Sequence, residues 1–325
     1  MKQRIITGLI LIVLASLWLT TPYPQFFLAG LLLIVFIGAF EYSQFIFRGE
    51  INDEHLLKSP SEYIKKNGWK PVLQRLLYSS VVIFSGTLLV TAATEKSNLD
   101  YILLDDTRLH QLFAEGSNIL VMWVFILSAA WWILSAFLVL RYPKNSGIVS
   151  SKFFKILAGF IYFIPFFMAA GILRFQSFVT DSSIGAVSIL SVMVLVWAAD
   201  SGAYFVGKAC GKHKMSPHVS PNKTFEGLAG GVVLALIIFA VLAYFGCYGK
   251  AFQMNMFALT VASVVTVVFS VIGDLWESLL KRESGIKDSG FIFPGHGGML
   301  DRIDSLLAAL PVFLITFAAL DRILG

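Results

Sequence analysis

The sequence predicts an all-α, polytopic integral membrane bundle of about nine transmembrane helices, with the N-terminus in and the C-terminus out. Three observations lead there. Hydrophobic residues make up 57% and charged residues 14% of the 325-residue chain, where soluble domains average about 45–50% and about 25%. Apolar runs of spanning length recur from end to end. The basic residues fall into alternate connecting segments. A mean hydropathy of +0.78 and 29 Phe suit a lipid-facing surface better than one soluble core.

A spanning helix needs about 20 mostly apolar residues, within a range of about 17–25. Candidate spans lie at 5–20, 26–41, 76–93, 119–140, 153–172, 183–199, 228–246, 255–272 and 303–320. The first also has the look of a signal peptide, with Lys2 and Arg4 before an apolar run. It lacks a clean small-residue cleavage site and further spans follow, so it reads as a retained first span. Pro165 and Pro311 sit inside spans, where each removes a backbone donor and implies a kink.

Lys and Arg near span ends are retained on the cytoplasmic side. With the N-terminus inside, twenty of the 25 fall in inside segments: the N-terminus, 42–75, near 141–155, 200–227 and 273–302. Lys96, Arg108, Arg174, Lys250 and Arg322 fall outside. The segment 42–75 reads as cytoplasmic with surface-lying amphipathic helices, and 94–118 as an acidic outer loop. Two regions are expected: an N-terminal transmembrane region, 1–175, and a C-terminal catalytic transmembrane region, 176–325. Retained basic residues account for the net charge of +5, so no nucleic-acid partner is inferred. Cys210 and Cys247 form no pair with metal or disulfide spacing.

Polar residues clustered at membrane depth are costly and need a reason. Three clusters fall on the predicted inside face. Asp200-Ser201-Gly202-Ala203-Tyr204 follows a span directly; Asp200 is either a helix-end carboxylate or a contact at the mouth of a site. Ser220-Pro221-Asn222-Lys223-Thr224 combines turn residues with a Lys before a helix start, a natural phosphate seat. The plainer alternative is a turn with Thr224 as helix cap. The third cluster, 273–305, is the densest. Asp274, Ser278 and Lys281 share one face if helical, as do Asp301 and Asp304. Asp274, Asp288, Asp301 and Asp304 offer hard oxygen ligands; Lys281, Arg282, Lys287 and Arg302 offer cations. Carboxylates without a Cys or His cluster favour Mg2+ over zinc, and the combination points to a nucleotide di- or triphosphate.

Residues 278–304 run from Ser278-Leu279-Leu280-Lys281-Arg282 through Lys287-Asp288 to His296-Gly297-Gly298-Met299-Leu300-Asp301-Arg302-Ile303-Asp304. This stretch resembles the C-terminal signature of phosphatidate cytidylyltransferases (CDP-diacylglycerol synthases) at every element. The segments at Asp200 and Ser220 look like family motifs too, so the resemblance covers about 197–310. It implies a nucleotidyltransferase of phospholipid biosynthesis in the cell inner membrane, with its active site on the cytoplasmic side. The implied reaction is CTP plus phosphatidic acid giving CDP-diacylglycerol and pyrophosphate, among membrane lipids. It further implies a divalent metal, Mg2+, on Asp274 and Asp301, with room for a monovalent ion such as K+ beside it. A homodimer is compatible with such a chain. On this reading Asp274, Lys287, Asp288, His296, Asp301 and Asp304 carry catalysis. Asp200, Ser220, Asn222, Lys223, Ser278, Lys281, Arg282 and Arg302 bind substrate. His296 is either a general acid to pyrophosphate or a structural turn residue. Two rivals are transfer of a nucleotide or phosphoryl group to another lipid, such as a polyprenol, and a transporter with a midplane ion site. The signature argues against the first. The second wants charges deep in spans and half-to-half symmetry, and the sequence has neither.

Overall fold

The computed structural model describes residues 2–47, 60–96, 119–177, 181–293 and 297–324. Most of them are helical: α1 Lys2–Leu19, α2 Pro24–Tyr42, α3 Pro60–Asn67, α4 Lys70–Lys96, α5 Ile119–Arg141, α6 Lys152–Phe175, α7 Ser182–Cys210, α8 Phe225–Tyr244, α9 Met256–Ser284 and α10 Leu300–Leu324. Among the described residues, eight helices are long and apolar enough to cross a membrane, and α1 adds a shorter apolar stretch, Ile10–Leu19. Hydrocarbon offers no partner for backbone N–H and C=O groups, so these segments satisfy them internally as helices. The chain is a multi-pass membrane protein. Most of the expected outer loop 94–118 and residues 48–59 of segment 42–75 lie outside the described residues.

Local chemistry sets the helix ends. Pro24 opens α2, where a missing N–H is harmless. Asp181 caps α7 by accepting from Ser183 N at 2.8 Å, and Asn255 caps α9 by accepting from Ala258 N at 3.0 Å. The α9 helix stops at Gly285, which takes the left-handed conformation (φ 63°) and donates to the carbonyls of Arg282 and Lys281. Pro165 and Pro311 remain inside continuous helices.

Two sequence expectations are corrected here. The segments 200–227 and 273–302 do not leave the bundle where the apolar runs end. The α7 helix continues ten residues past Asp200 to Cys210, and α9 continues to Ser284. In α9 the polar side chains Asp274, Glu277, Ser278 and Lys281 find partners, whereas in α7 Ser201, Tyr204 and Lys208 are exposed and the small Gly202 packs against α8. Ser220–Thr224 is no turn but a strand, β2, paired antiparallel with β1, Lys214–Ser216. Residues 217–219 make the turn instead, and Thr224 caps α8 by accepting from Gly227 N at 3.1 Å.

One continuous core joins the two halves of the chain. Helices α6 and α10 are its most buried members, while α4 and α8 lie at its rim. Tyr42, Tyr78, Tyr162 and Phe163 form an aromatic knot between α2, α4 and α6. Exposed Val233, Ile237 and Val241 on α8, with Trp123, Leu127 and Ile133 on α5, give the bundle an apolar outer surface.

Cross-helix bonds gather one set of ends. Arg75 Nη2 at the start of α4 donates 2.9 Å to Phe40 O of α2. Lys155 Nζ of α6 donates 3.1 Å to Phe45 O, Ser216 Oγ 2.9 Å to Val139 O of α5, and Arg282 Nε 3.2 Å to Val219 O. Four of the basic segments therefore meet at one end of the bundle. At that end α9 and α10 approach closely because Gly273 has no side chain. A Cβ there would lie 2.6 Å from Asp304 O and 3.1 Å from Ala308 Cβ.

Gly273→Val is expected to force this pair apart and to destabilise the protein by about 1–3 kcal/mol, the usual range for overpacking, with activity falling as well. Thermal unfolding in detergent checks it; an unchanged melting temperature would mean that the approach is not tight.

Candidate active site

The site grows out of the α9–α10 pair. Asp274 follows Gly273 on α9. Its Oδ2 takes Lys223 Nζ of β2 at 2.6 Å, and its Oδ1 accepts from Ser278 Oγ, one turn along the same helix, at 3.2 Å. The helical spacing read from the sequence is thus realised. Lys223 reaches Asp274 because β1 and β2 fold back over the end of α9, where Arg282 holds Val219.

Lys281 stands two turns beyond Asp274. Its ammonium is 2.8 Å from Glu277 Oε2 and 2.8 Å from Asp301 Oδ1. The Glu277 side chain is 0% exposed and those of Lys281 and Asp301 are 14% and 8%. Solvent screening is therefore weak, and each group needs its partners. Asp301 has them. Its Oδ2 accepts from Gly298 N at 2.7 Å and Ser289 N at 2.9 Å, and its own N–H donates to Ser289 Oγ at 3.2 Å. One carboxylate thereby fastens α9, the loop after it and the start of α10.

Between these walls lies a cavity of about 370 Å³. Asp200 of α7, Asp274 and Lys281 of α9, Asp288 of the loop, and Asp301, Arg302 and Asp304 of α10 line it. Val196, Trp197, Ser305 and Leu306 complete the lining. Five carboxylates face two cations, an excess of negative charge that a bare triphosphate would meet with repulsion. All donors are hard oxygens, the set that suits Mg2+. Among the described residues, no three His, Cys, Asp or Glu side chains form a ready ligand cage. Mg2+ is ordinarily held by one or two carboxylates plus substrate phosphates and water, so this donor set fits that mode.

Of the residues picked from sequence, seven line this cavity: Asp200, Asp274, Lys281, Asp288, Asp301, Arg302 and Asp304. Lys223 and Ser278 join it through Asp274. Asp304 also accepts from Ser305 N at 2.7 Å. Arg282 is exposed and turned to Val219. Lys287 is exposed and absent from the lining. Ser220 and Asn222 lie on β2, also away from the lining. His296 lies outside the described residues, between Phe293 and Gly297, whose backbones bond at 2.9 Å.

Two carboxylates escaped sequence reasoning. Glu277 sits within the dense cluster 273–305 but drew no role. Glu41, near the end of α2, is 4% exposed and accepts from Leu300 N at 2.7 Å. A signal for it existed: it is the one charged residue in the apolar span 26–41, and an acid there calls for a partner.

The sequence profile of the cytidylyltransferase family matches residues 2–320, well beyond the stretch 197–310 that carries the recognisable motifs. Relatives named phosphatidate cytidylyltransferase agree. The one from Haemophilus influenzae is 36% identical over 316 residues, 96% of this chain and 97% of that protein. The one from Pseudomonas aeruginosa is 42% identical over 190 residues, 58% of this chain and 67% of that protein. A Staphylococcus aureus relative is 35% identical over 242 residues, 72% of this chain and 88% of that one. A match that runs nearly the length of both partners, added to a polar cavity built from the signature residues, leads to one conclusion: the chain belongs to the cytidylyltransferase family.

Proposed function

We propose that this protein is a phosphatidate cytidylyltransferase, transferring the cytidylyl group of CTP to phosphatidic acid to give CDP-diacylglycerol and pyrophosphate. The observation that carries the reading is the cavity, where acids and bases from three helices and a loop converge at one end of an apolar bundle. A water-soluble triphosphate and a membrane-held phosphate can both reach such a place. The apolar part of its lining, Val196, Trp197 and Leu306, suits the glycerol end of a lipid.

The phosphate of phosphatidic acid has a second pKa near 6. It is largely dianionic at neutral pH and needs no strong base. One of its oxygens attacks the α-phosphorus of CTP, and the bond from that phosphorus to the bridging β-phosphate oxygen breaks. The electron pair leaves with pyrophosphate. The obstacle is repulsion between anions, so catalysis consists of charge neutralisation and in-line alignment. Lys281 and Arg302 hold the triphosphate and the leaving group, and Lys223 receives the lipid phosphate. Asp274 and Asp301 would hold Mg2+, which when bound supplies positive charge against the phosphate oxygens. Asp200, Asp288 and Asp304 orient the cations.

The reading puts the enzyme in the inner membrane with this end facing the cytoplasm. The 20-to-5 division of Lys and Arg supports that orientation. Cysteines introduced at Lys208 and Lys287 are expected to resist an impermeant thiol reagent added to intact cells and to react once the membrane is opened. Labelling from outside would reverse the topology.

Purified protein given labelled CTP and a panel of lipid phosphates is expected to convert phosphatidic acid alone, and to stop after exhaustive chelation. Asp274→Asn and Asp301→Asn keep the side-chain size and lose the charge. Each is expected to lose roughly 10²–10³ in rate, the loss seen when one electrostatic group is removed from a comparable site. Preference for a polyprenyl phosphate, or full activity under chelation, would overturn the substrate or the metal assignment respectively.

A further inference from the structure

We infer that Glu41, contributed by α2 from the N-terminal part of the chain, is a positioning residue that sets the place of Asp301 and Asp304. Asp301 and Asp304 are the second and fifth residues of α10, so the position of that helix's first turn fixes theirs. A free helix N-terminus has unsatisfied N–H groups and a partial positive charge. For α10 no residue of its own sequence answers the Leu300 N–H. Glu41 Oε2 does so from another helix, at 2.7 Å.

The same carboxylate is enclosed by the signature loop. A Cβ at Gly290 or at Gly298 would lie 2.6 Å from the Glu41 carboxyl carbon. Those two positions therefore hold the loop against α2 as closely as backbone allows. One turn further along the chain, Gln44 Nε2 donates 2.6 Å to Ser289 O, and Ser289 N in turn donates 2.9 Å to Asp301 Oδ2. Glu41 and Gln44 thus hold the loop at Ser289 and at Leu300, on either side of the Phe293–Gly297 backbone bond, and both grips end on Asp301. Arg75 and Phe40 back this end of α2, with the guanidinium 4.2 Å from the ring centroid. Glu41 is absent from the cavity lining, so it acts through the residues it holds.

The inference rests on Asp301 belonging to the metal-binding wall, and its test separates the two ideas. Glu41→Ala is expected to lower kcat and Mn2+ affinity together by roughly 10–100-fold, as loss of an outer-shell partner does, with the KM for phosphatidic acid unchanged. Mn2+ affinity is read by electron paramagnetic resonance of the free ion on detergent-purified protein, which needs no turnover. Glu41→Gln keeps an oxygen for the Leu300 N–H and is expected to recover most of both quantities. Gln44→Met keeps the volume, removes the donor to Ser289 and is expected to shift both in the same direction as Glu41→Ala. Folded Glu41→Ala or Gln44→Met with wild-type kcat and Mn2+ affinity would overturn the inference, as would Glu41→Gln no better than Glu41→Ala. Absence of Mn2+ binding by the wild type would instead fault the metal assignment, leaving kcat of the same variants to decide the role of Glu41.

Discussion

Lys281 lies between two carboxylates at 2.8 Å each, at the rim of an apolar bundle, and the rest of the site is arranged around that contact. Glu277 sits fully buried behind it and Asp301 in front. An exposed ion pair contributes about 0–1 kcal/mol, and a buried one is offset by the desolvation of its charges. Removing one member of a buried pair is another matter, costing roughly 3–5 kcal/mol because a naked charge remains. The arrangement therefore specifies geometry more than it adds stability. It fixes α9 against α10 with Asp274 and Asp304 facing one cavity, and holds Asp301 by a lysine and two backbone amides.

That geometry depends on features far apart in the chain. Gly273 lets the two helices approach. The β1–β2 hairpin delivers Lys223 to Asp274. The α2 helix delivers Glu41 to the first turn of α10. Helices α7 and α8 pack through small residues, and a Cβ at Gly231 would lie 2.6 Å from Ala199 O. This close packing, the usual device where no hydrophobic force separates helix from lipid, carries Asp200 to the cavity wall. A family profile that extends from residue 2 to 320 agrees with a site whose supports begin in α2.

The membrane class, the apolar spans and the signature residues were legible in the sequence because each is written locally, in length, hydropathy or spacing. The shared face of Asp274 and Ser278 follows from i, i+4 spacing once that stretch is helical. The helical reach of α7 to Cys210 and α9 to Ser284 was not legible, because a polar helix continuing beyond an apolar run looks like a loop to hydropathy. The strand at Ser220–Thr224 was hidden by Pro221 and Asn222, whose turn preference yields here to an edge pairing with Lys214–Ser216. Glu41 was hardest to read. Its partner Leu300 is 259 residues away, and local pattern does not encode a contact of that separation.

We propose that the excess of carboxylate in this cavity receives a divalent cation together with CTP. Crystals grown with Mn2+ and a non-hydrolysable CTP analogue, measured at the manganese edge, test it most directly. An anomalous peak is expected between the Asp274 and Asp301 carboxylates, beside the nucleotide phosphates, with Lys281 and Arg302 nearby. Bound nucleotide with no peak there, or manganese bound only elsewhere, would contradict it.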